Sequence, residues 1–199
     1  MTVKTDAKEL HFKVVYAGPS SSGKSMNLKK IHERFGTNNC DALMREETID
    51  DETFCYDYTS FSMNSVRGIK PVFHIYSIPA KVSDTVVQDF FLRDADGIVF
   101  VADSQPYRLE DNSKSFLALR SLLNSDHVPI VLQCNKQDSS LALPTDILKR
   151  TITSTDIPCF CATASRSVGV FETLKHIIKM LIKQIIPSEL GLEMAEMGV

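Results

Sequence analysis

The sequence predicts an α/β domain with a mostly parallel central sheet covered by helices on both faces. Three observations carry that expectation. Strand-like and helix-like segments alternate almost throughout the 199 residues, with no internal repeat and no linker between domains. Gly97-Ile-Val-Phe-Val-Ala102 is an unbroken apolar run of the kind found in central strands buried on both faces. A glycine-containing loop, Gly18 to Gly23, joins the first strand directly to the first helix, as in strand–loop–helix units.

Taken in order, residues 1–11 read as a short polar lead-in and Phe12–Ala17 as a buried first strand. A helix follows from Met26 to about Phe35. Gly36 to Glu52 is polar and without period, so a long loop is expected there, and long loops in compact domains tend to be functional. Thr53–Tyr58 and Pro71–Ile78 alternate as strands do, with 64–68 as the turn between them. Ser83 to Arg93 can form a helix with Val86, Val87, Phe90 and Phe91 on one face.

After the central strand, Asp111 is placed to cap a helix through Leu123, with Phe116, Leu119, Leu122 and Leu123 inward. Val128–Cys134 reads as another buried strand, and Pro144 as the first turn of a helix to about Arg150. Ile157–Cys161 is a short strand. Val170–Ile186 is the clearest amphipathic helix: Phe171, Leu174, Ile177, Ile178, Leu181 and Ile185 share one side, with lysines opposite. Pro187 stops it, leaving residues 187–199 as a tail that is either frayed or a partner-docking segment, with Leu190, Met194 and Met197 as its apolar stripe. Residues 1–186 form the single domain.

Composition narrows the function. At 43% hydrophobic and 24% charged the chain suits one soluble globular domain, and no apolar run approaches membrane-spanning length. A net charge of −3 argues against nucleic acid or an anionic membrane surface as a general partner. The start of the chain has neither a signal-peptide pattern nor the glycine of N-myristoylation, and the end carries no prenylation cysteine. Of five cysteines, Cys55, Cys134, Cys159 and Cys161 lie in apolar strand-like runs and Cys40 in a polar loop, so buried free thiols in a cytoplasmic protein are expected. The histidines His11, His32, His127 and His176 have no metal-ligand spacing, and His74 reads as a hydrogen-bonded sheet residue.

The chemistry centres on Gly18-Pro-Ser-Ser-Ser-Gly23-Lys24-Ser25, a full G-x-x-x-x-G-K-[ST] phosphate loop. Backbone N–H groups of such a loop, here from Ser21, Ser22, Gly23 and Met26 among others, converge with a helix N-terminus on a polyphosphate. Lys24 offers its charge to the β/γ oxygens, and the Ser25 hydroxyl can ligate Mg²⁺. The base is named by Asn135-Lys136-Gln137-Asp138 at the end of a buried strand. The Asp138 carboxylate can accept from N1–H and the N2 amine of guanine, a donor pair that adenine lacks. The Lys136 stem would pack on the ring, and Asn135 would tie the base loop to the phosphate loop. Ala162-Thr163-Ala164, after the next strand, is placed to offer backbone N–H to guanine O6. GTP or GDP with Mg²⁺ is the cofactor set that follows.

Over residues 11–186 the chain resembles the MglA-type bacterial small GTPases, Ras-like proteins of gliding motility. The resemblance rests on Val15-Tyr-x-Gly-Pro with Gly23-Lys-Ser, Asp51-Glu-Thr53 with Tyr56-Asp57, and Phe73-His-Ile-Tyr-Ser-Ile-Pro79. Gly97 to Ser104, Asn135 to Asp138 and Gly169-Val-Phe-Glu-Thr-Leu174 complete it. It implies a Ras-like G domain, with switch I at 36–53 and switch II from Pro79 to about Asp89. It further implies Thr53 as a ligand of Mg²⁺ and the γ-phosphate, and Ser77 as a hydroxyl that holds a Mg²⁺ water. The partners implied are an MglB-like regulator or polarity and motility effectors, recruiting a cytoplasmic protein to a cell pole.

Four departures from that family fall on the hydrolytic positions. Ser20 replaces a glycine in the phosphate loop and crowds the γ-phosphate. Lys81 replaces the water-orienting glutamine and cannot accept a hydrogen bond from water. Glu52 stands where a built-in arginine would stabilise developing charge, and Ala80 keeps an N–H for the γ-phosphate but lacks the freedom to reorient of the glycine it replaces. Two readings stay open: a nucleotide switch or scaffold with very slow or absent hydrolysis, and a GTPase to which a partner supplies catalytic groups. Arg45, Arg67 and Arg93 are the internal arginine candidates for the second. A small-molecule kinase would leave the Asn-Lys-x-Asp element without a purpose.

Overall fold

The computed structural model describes residues 2–4, 9–35, 44–49, 52–65, 68–78, 90–123 and 127–185. Strands β1 (Thr2–Lys4) and β2 (Glu9–Ala17) lead into helix α1 (Lys24–Phe35). Then come β3 (Met44–Ile49), β4 (Glu52–Ser62), β5 (Lys70–Ser77) and β6 (Gly97–Asp103). Helix α2 (Leu109–Leu122), β7 (Ile130–Asn135), α3 (Thr145–Ile152), β8 (Cys159–Cys161) and α4 (Val170–Ile185) finish the chain. Among the described residues the sheet order is β3-β4-β5-β2-β6-β7-β8, with β1 beside β2. The run β5-β2-β6-β7-β8 is parallel throughout, whereas β1, β3 and β4 are attached by antiparallel pairing. This is the expected α/β architecture.

The core has two layers, one on each face of the sheet. Phe12, Val14, Tyr16, Val99 and Val101 pack on Leu28 and Ile31 of α1 and on Leu174, Ile177, Ile178 and Leu181 of α4. On the other face Val15, Ile98, Phe100 and Leu132 meet Phe116, Leu119, Leu148 and Ile152 from α2 and α3. All of β6 and β7 is therefore buried, which explains their lack of polar alternation. Strand β2 shows both regimes: it alternates over its first five residues and is continuously buried from Val14, where helices cover both faces. Each fully buried aliphatic side chain on α4 contributes roughly 1.5–3 kcal/mol of transfer free energy, so packing rather than propensity holds this helix.

Several boundaries differ from the expectation, each for a tertiary reason. The polar lead-in contains β1, which takes the part of the β2 edge that β6 leaves open: β6 pairs with Val14–Ala17, β1 with Glu9–His11. The expected loop 36–52 contains β3, a charged strand with no apolar period, formed by pairing residue for residue with β4. Strand β4 runs on to Ser62 because its alternation continues, Thr59 and Phe61 inward. Strands β7 and β8 begin only after Pro129 and Pro158, whose missing N–H cannot serve a ladder.

Helix α2 starts at Leu109, so Asp111 is not its cap; it lies in the first turn and pairs with Arg108. Pro144 precedes α3 in extended conformation, and the helix continues to Ile152. Phe91 is buried but Phe90 is not, so the two do not share an inner face. Residues 90–92 are helical, whereas Val86, Val87, the loop 36–43 and the tail 187–199 lie outside the described residues. Cys134 is buried and Cys159 half-buried, but Cys55 and Cys161 are exposed, on strands nearer the sheet margins than expected for thiols of the core.

Candidate functional site

The parallel strands end together, and every loop of the candidate site leaves from those ends. The phosphate loop leaves β2 with Gly18 at φ 135° and passes Ser21 at φ 59° and Gly23 at φ 106° before entering α1. Two of its residues must be glycine on steric grounds as well. A Cβ on Gly18 would lie 2.3 Å from the Val101 carbonyl oxygen, and one on Gly23 would lie 2.1 Å from Asn135 Nδ2. The loop is thus pressed against β6 on one side and the base loop on the other.

Lys24 is 6% exposed and donates from Nζ to the Gly18 and Pro19 carbonyls, at 2.7 and 2.8 Å. These bonds hold the ammonium across the concave side of the loop. Burial pushes its pKa down to about 8; the Asp57 carboxylate opposes that shift and the Arg108 guanidinium adds to it. Ser25, first in the helix after Lys24, is exposed, and so is Ser21. Ser22 is fully buried.

The base loop is built on β7. Asn135 is 3% exposed and makes two bonds in opposite directions: Nδ2 donates to Ser22 O at 2.8 Å and Oδ1 accepts from Ala164 N at 2.9 Å. One side chain therefore joins the phosphate loop, the base loop and the turn after β8. Lys136 turns the chain at φ 65° and sets its Nζ 2.7 Å from Asp103 Oδ2. Gln137 locks the loop through its amide, donating to Ser104 Oγ at 2.7 Å and Leu143 O at 2.9 Å. Between these parts lies a cavity of about 410 Å³, lined among others by Gly23, Met26, Asn135, Lys136, Asp138 and Ser165. That volume suits a small-molecule ligand.

The backbone donors expected at the base have acceptors inside the protein. The N–H groups of Ala162, Thr163 and Ala164 are all engaged within the protein, by Cys134 O, Val168 O and Asn135 Oδ1. Ala164 lines the cavity all the same, together with Ser165, one residue further. Ser77 is likewise committed: its hydroxyl donates to Asp57 Oδ2 at 2.9 Å and accepts from Asp57 N at 3.1 Å. Sequence reasoning gave Asp57 no role, yet its carboxylate sits within electrostatic reach of Lys24. Asp57 lies in the middle of β4, where no local spacing marks it, and only the pairing of β4 with β5 brings it to Ser77.

Glu52 and Thr53 are placed by their backbone, opposite Ile49 and Thr48 at the start of β4. Ala80 and Lys81 lie outside the described residues, and so does Arg67. An arginine outside the motifs reaches the phosphate loop: Arg108 Nη2 donates to Ser20 O at 2.5 Å. Among the described residues no group of three or more His, Cys, Asp or Glu side chains could hold a metal ion. A cation here would rest instead on hydroxyl oxygens, an acid such as Asp57 and the phosphates themselves, the hard oxygen set that Mg²⁺ prefers. His74, as expected, is a bonded sheet residue, 2.9 Å from His11 and 2.8 Å from the Tyr58 hydroxyl.

No protein-family model matches the chain. It is similar to the mutual gliding-motility protein MglA of Myxococcus xanthus (strain DK1622), with 32% identity over 188 residues. The match covers 92% of this chain and 96% of that protein. A likeness of this extent, on a parallel sheet whose phosphate loop and Asn-Lys-x-Asp loop share one cavity, shows that the chain belongs to the MglA family of Ras-like small GTPases.

Proposed function

We propose that this protein is a guanine-nucleotide-dependent switch or scaffold of cell polarity or motility, with very slow or absent intrinsic GTP hydrolysis. The observation that carries the reading is the double bond of Asn135 to Ser22 O and Ala164 N, which joins phosphate and base loops around one cavity. Asp138 accepts from the guanine N1–H and N2 amine, the Lys136 stem covers the ring, and Ser165 is the residue we assign to guanine O6. The N–H groups of Ser21 to Met26 face the phosphates, with Lys24 as their point charge. Ser25 and Thr53 would hold Mg²⁺, with Asp57, bonded to Ser77, supporting its water shell. When bound, the ion would supply positive charge beside the phosphates.

The hydrolytic half of the site is where this chain departs from its family. Ser20, Glu52, Ala80 and Lys81 occupy the positions that would admit, charge-stabilise and orient the reaction, and none of these residues can do that work. Signalling then depends on which nucleotide is bound and on surfaces read by an MglB-like regulator or by polarity effectors. Recruitment to a cell pole would pass through such partners, since no helix among the described residues is long and apolar enough to cross a membrane. The intact binding half also favours a second reading, a GTPase completed in trans by a partner.

Single-turnover GTP cleavage at saturating Mg²⁺ decides between them. The parent should show near-zero cleavage. Lys81→Gln alone should do little, and a marked gain should appear only when Glu52→Arg, Ser20→Gly and Ala80→Gly are combined with it, because groups acting as a unit do not add. Absence of an arginine finger alone can cost ~10³–10⁵ in rate. Brisk unaided hydrolysis would overturn the proposal, and acceleration by a cell-extract fraction would establish the second reading.

A further inference from the structure

Arg108 lies in the 3₁₀ turn Pro106–Arg108 between β6 and α2, and its guanidinium meets three acceptors on three different segments. Nη2 donates to Ser20 O at 2.5 Å, Nη1 pairs with Asp111 Oδ2 at 2.5 Å, and Nε lies 3.8 Å from Asp103 Oδ2. Asp103 is in turn the partner of Lys136, 2.7 Å from its Nζ. A continuous path of charged contacts therefore runs from the crest of the phosphate loop to the lysine of the base loop. Its centre is rigid. The Asp103 side chain is 2% exposed, and its Oδ1 accepts from the N–H of Gln105 at 3.1 Å and from Gln105 Nε2 at 3.2 Å. Asn112 of α2 brackets the Asp103 backbone, accepting from its N–H at 3.0 Å and donating to its carbonyl at 2.8 Å.

The remaining carbonyls of the phosphate loop are held from other directions. Gly18 O and Pro19 O receive Lys24, and Ser22 O receives Asn135. Ser20 O receives Arg108. Ser20 is exposed, and its hold comes from a residue 88 positions away. A planar fork holds its donors in fixed directions toward a backbone carbonyl and two carboxylates; a lysine ammonium lacks that fixed geometry. The guanidinium's field also reaches Lys24, adding to the lowering of its pKa, so its positive charge acts inside the phosphate end of the site.

We propose that Arg108 is a positioning residue that clamps the phosphate loop to the base loop, and that the residence time of the bound nucleotide depends on this clamp. The inference rests on the nucleotide-binding reading above. Loosening the loop crest removes the fixed aim of its N–H groups, which acts on release rather than on capture, since affinity changes within one site are mostly changes in the off-rate.

The experiment uses the full chain and its Arg108→Ala, Arg108→Lys and Lys114→Ala variants. Release of a fluorescent GDP analogue, chased with unlabelled GDP, should be at least about tenfold faster in Arg108→Ala, as for loss of a charge-assisted bond. Arg108→Lys should recover part of the loss. Lys114→Ala, which breaks an exposed pair with Glu110 on the same helix, should leave release unchanged. Amide hydrogen exchange gives a readout that needs no nucleotide: exchange over 18–22 should rise in Arg108→Ala while α4 keeps its protection. Unchanged release and unchanged loop exchange would overturn the clamp. Exchange raised across the whole sheet would reduce Arg108 to a stabilising residue. If GDP does not bind the parent at all, the guanine reading fails, while the loop exchange still decides the clamp.

Discussion

Lys24 shows how one buried charge ties stability and binding to pH in opposite senses. Its ordinary pKa of 10.5 is lowered to about 8 by burial. Below pH 8 the amine is protonated in both folded and unfolded chains. Between about pH 8 and 10.5 the unfolded chain holds the proton that the folded chain has released, so this group adds stability as pH rises through that window. Phosphate binding needs the ammonium and runs the other way: above pH 8 nucleotide must bind together with a proton. GDP affinity should therefore fall as pH goes from 8 to 9.5, and calorimetry in buffers of different ionisation enthalpy should register proton uptake at pH 9 and little at pH 7. A flat profile would mean that Lys24 does not meet the phosphates. At the other end of the cavity, Asp138→Asn should turn an acceptor pair into a mixed one. GTP and GDP should exceed ATP and ADP in affinity by at least ~10³ in the parent, and the variant should lose guanine affinity and regain part of it with a xanthine nucleotide. Competition titrations with the four purine nucleotides and xanthosine diphosphate read this directly; equal adenine and guanine affinities in the parent would refute the role of Asp138.

At the scale of elements, the glycine-containing loop and the last helix illustrate two kinds of constraint. Gly18 has φ 135° and no room for a Cβ, which would meet the Val101 carbonyl of β6 at 2.3 Å. Gly18→Ala should lower unfolding free energy by about 2 kcal/mol or more, because both the strained φ and the clash must be relieved by moving the loop away from β6. Chemical denaturation against the parent checks it, and an unchanged midpoint would show that the loop is not seated on β6. Helix α4, by contrast, was readable from its period alone, because Leu174, Ile177, Ile178 and Leu181 all turn to the sheet as an amphipathic stripe requires. Strands β1 and β3 could not be read in that way. A charged segment such as Met44–Ile49 has no apolar alternation to reveal it, and it becomes a strand only because β4 supplies the hydrogen-bonding partner.

For the whole molecule, the parallel order matters because it collects loops that are far apart in sequence at one end of the sheet. The loops after β2, β6, β7 and β8 meet there, and ligands of open α/β sheets bind at the carboxyl ends of their strands. Binding across four loops should stabilise the entire domain. With GDP and Mg²⁺ at 100 times the dissociation constant, linkage adds about 2.7 kcal/mol. For a domain of this size that corresponds to roughly 5–10 °C in Tm. Thermal denaturation with GDP, ADP or neither should show the rise with GDP alone; a matching rise with ADP would contradict the guanine assignment.

The sequence by itself determined the fold class, the phosphate loop, the Asn-Lys-x-Asp element and most of the buried elements, because these depend on local spacing or on periodic apolar residues. Gly23, Asn135 and Lys136 line one cavity, and the Lys24 ammonium bonds the Gly18 carbonyl. Tertiary structure decided what depends on partners distant in the chain. It engaged the N–H groups of Ala162, Thr163 and Ala164 within the protein, with Ala164 and Ser165 both on the cavity, and it bonded Ser77 to Asp57. It also brought Arg108 to the phosphate loop. The reason is geometric. A hydrogen bond between residues 88 positions apart leaves no period in either segment, so only the packed sheet can show which donor meets which acceptor.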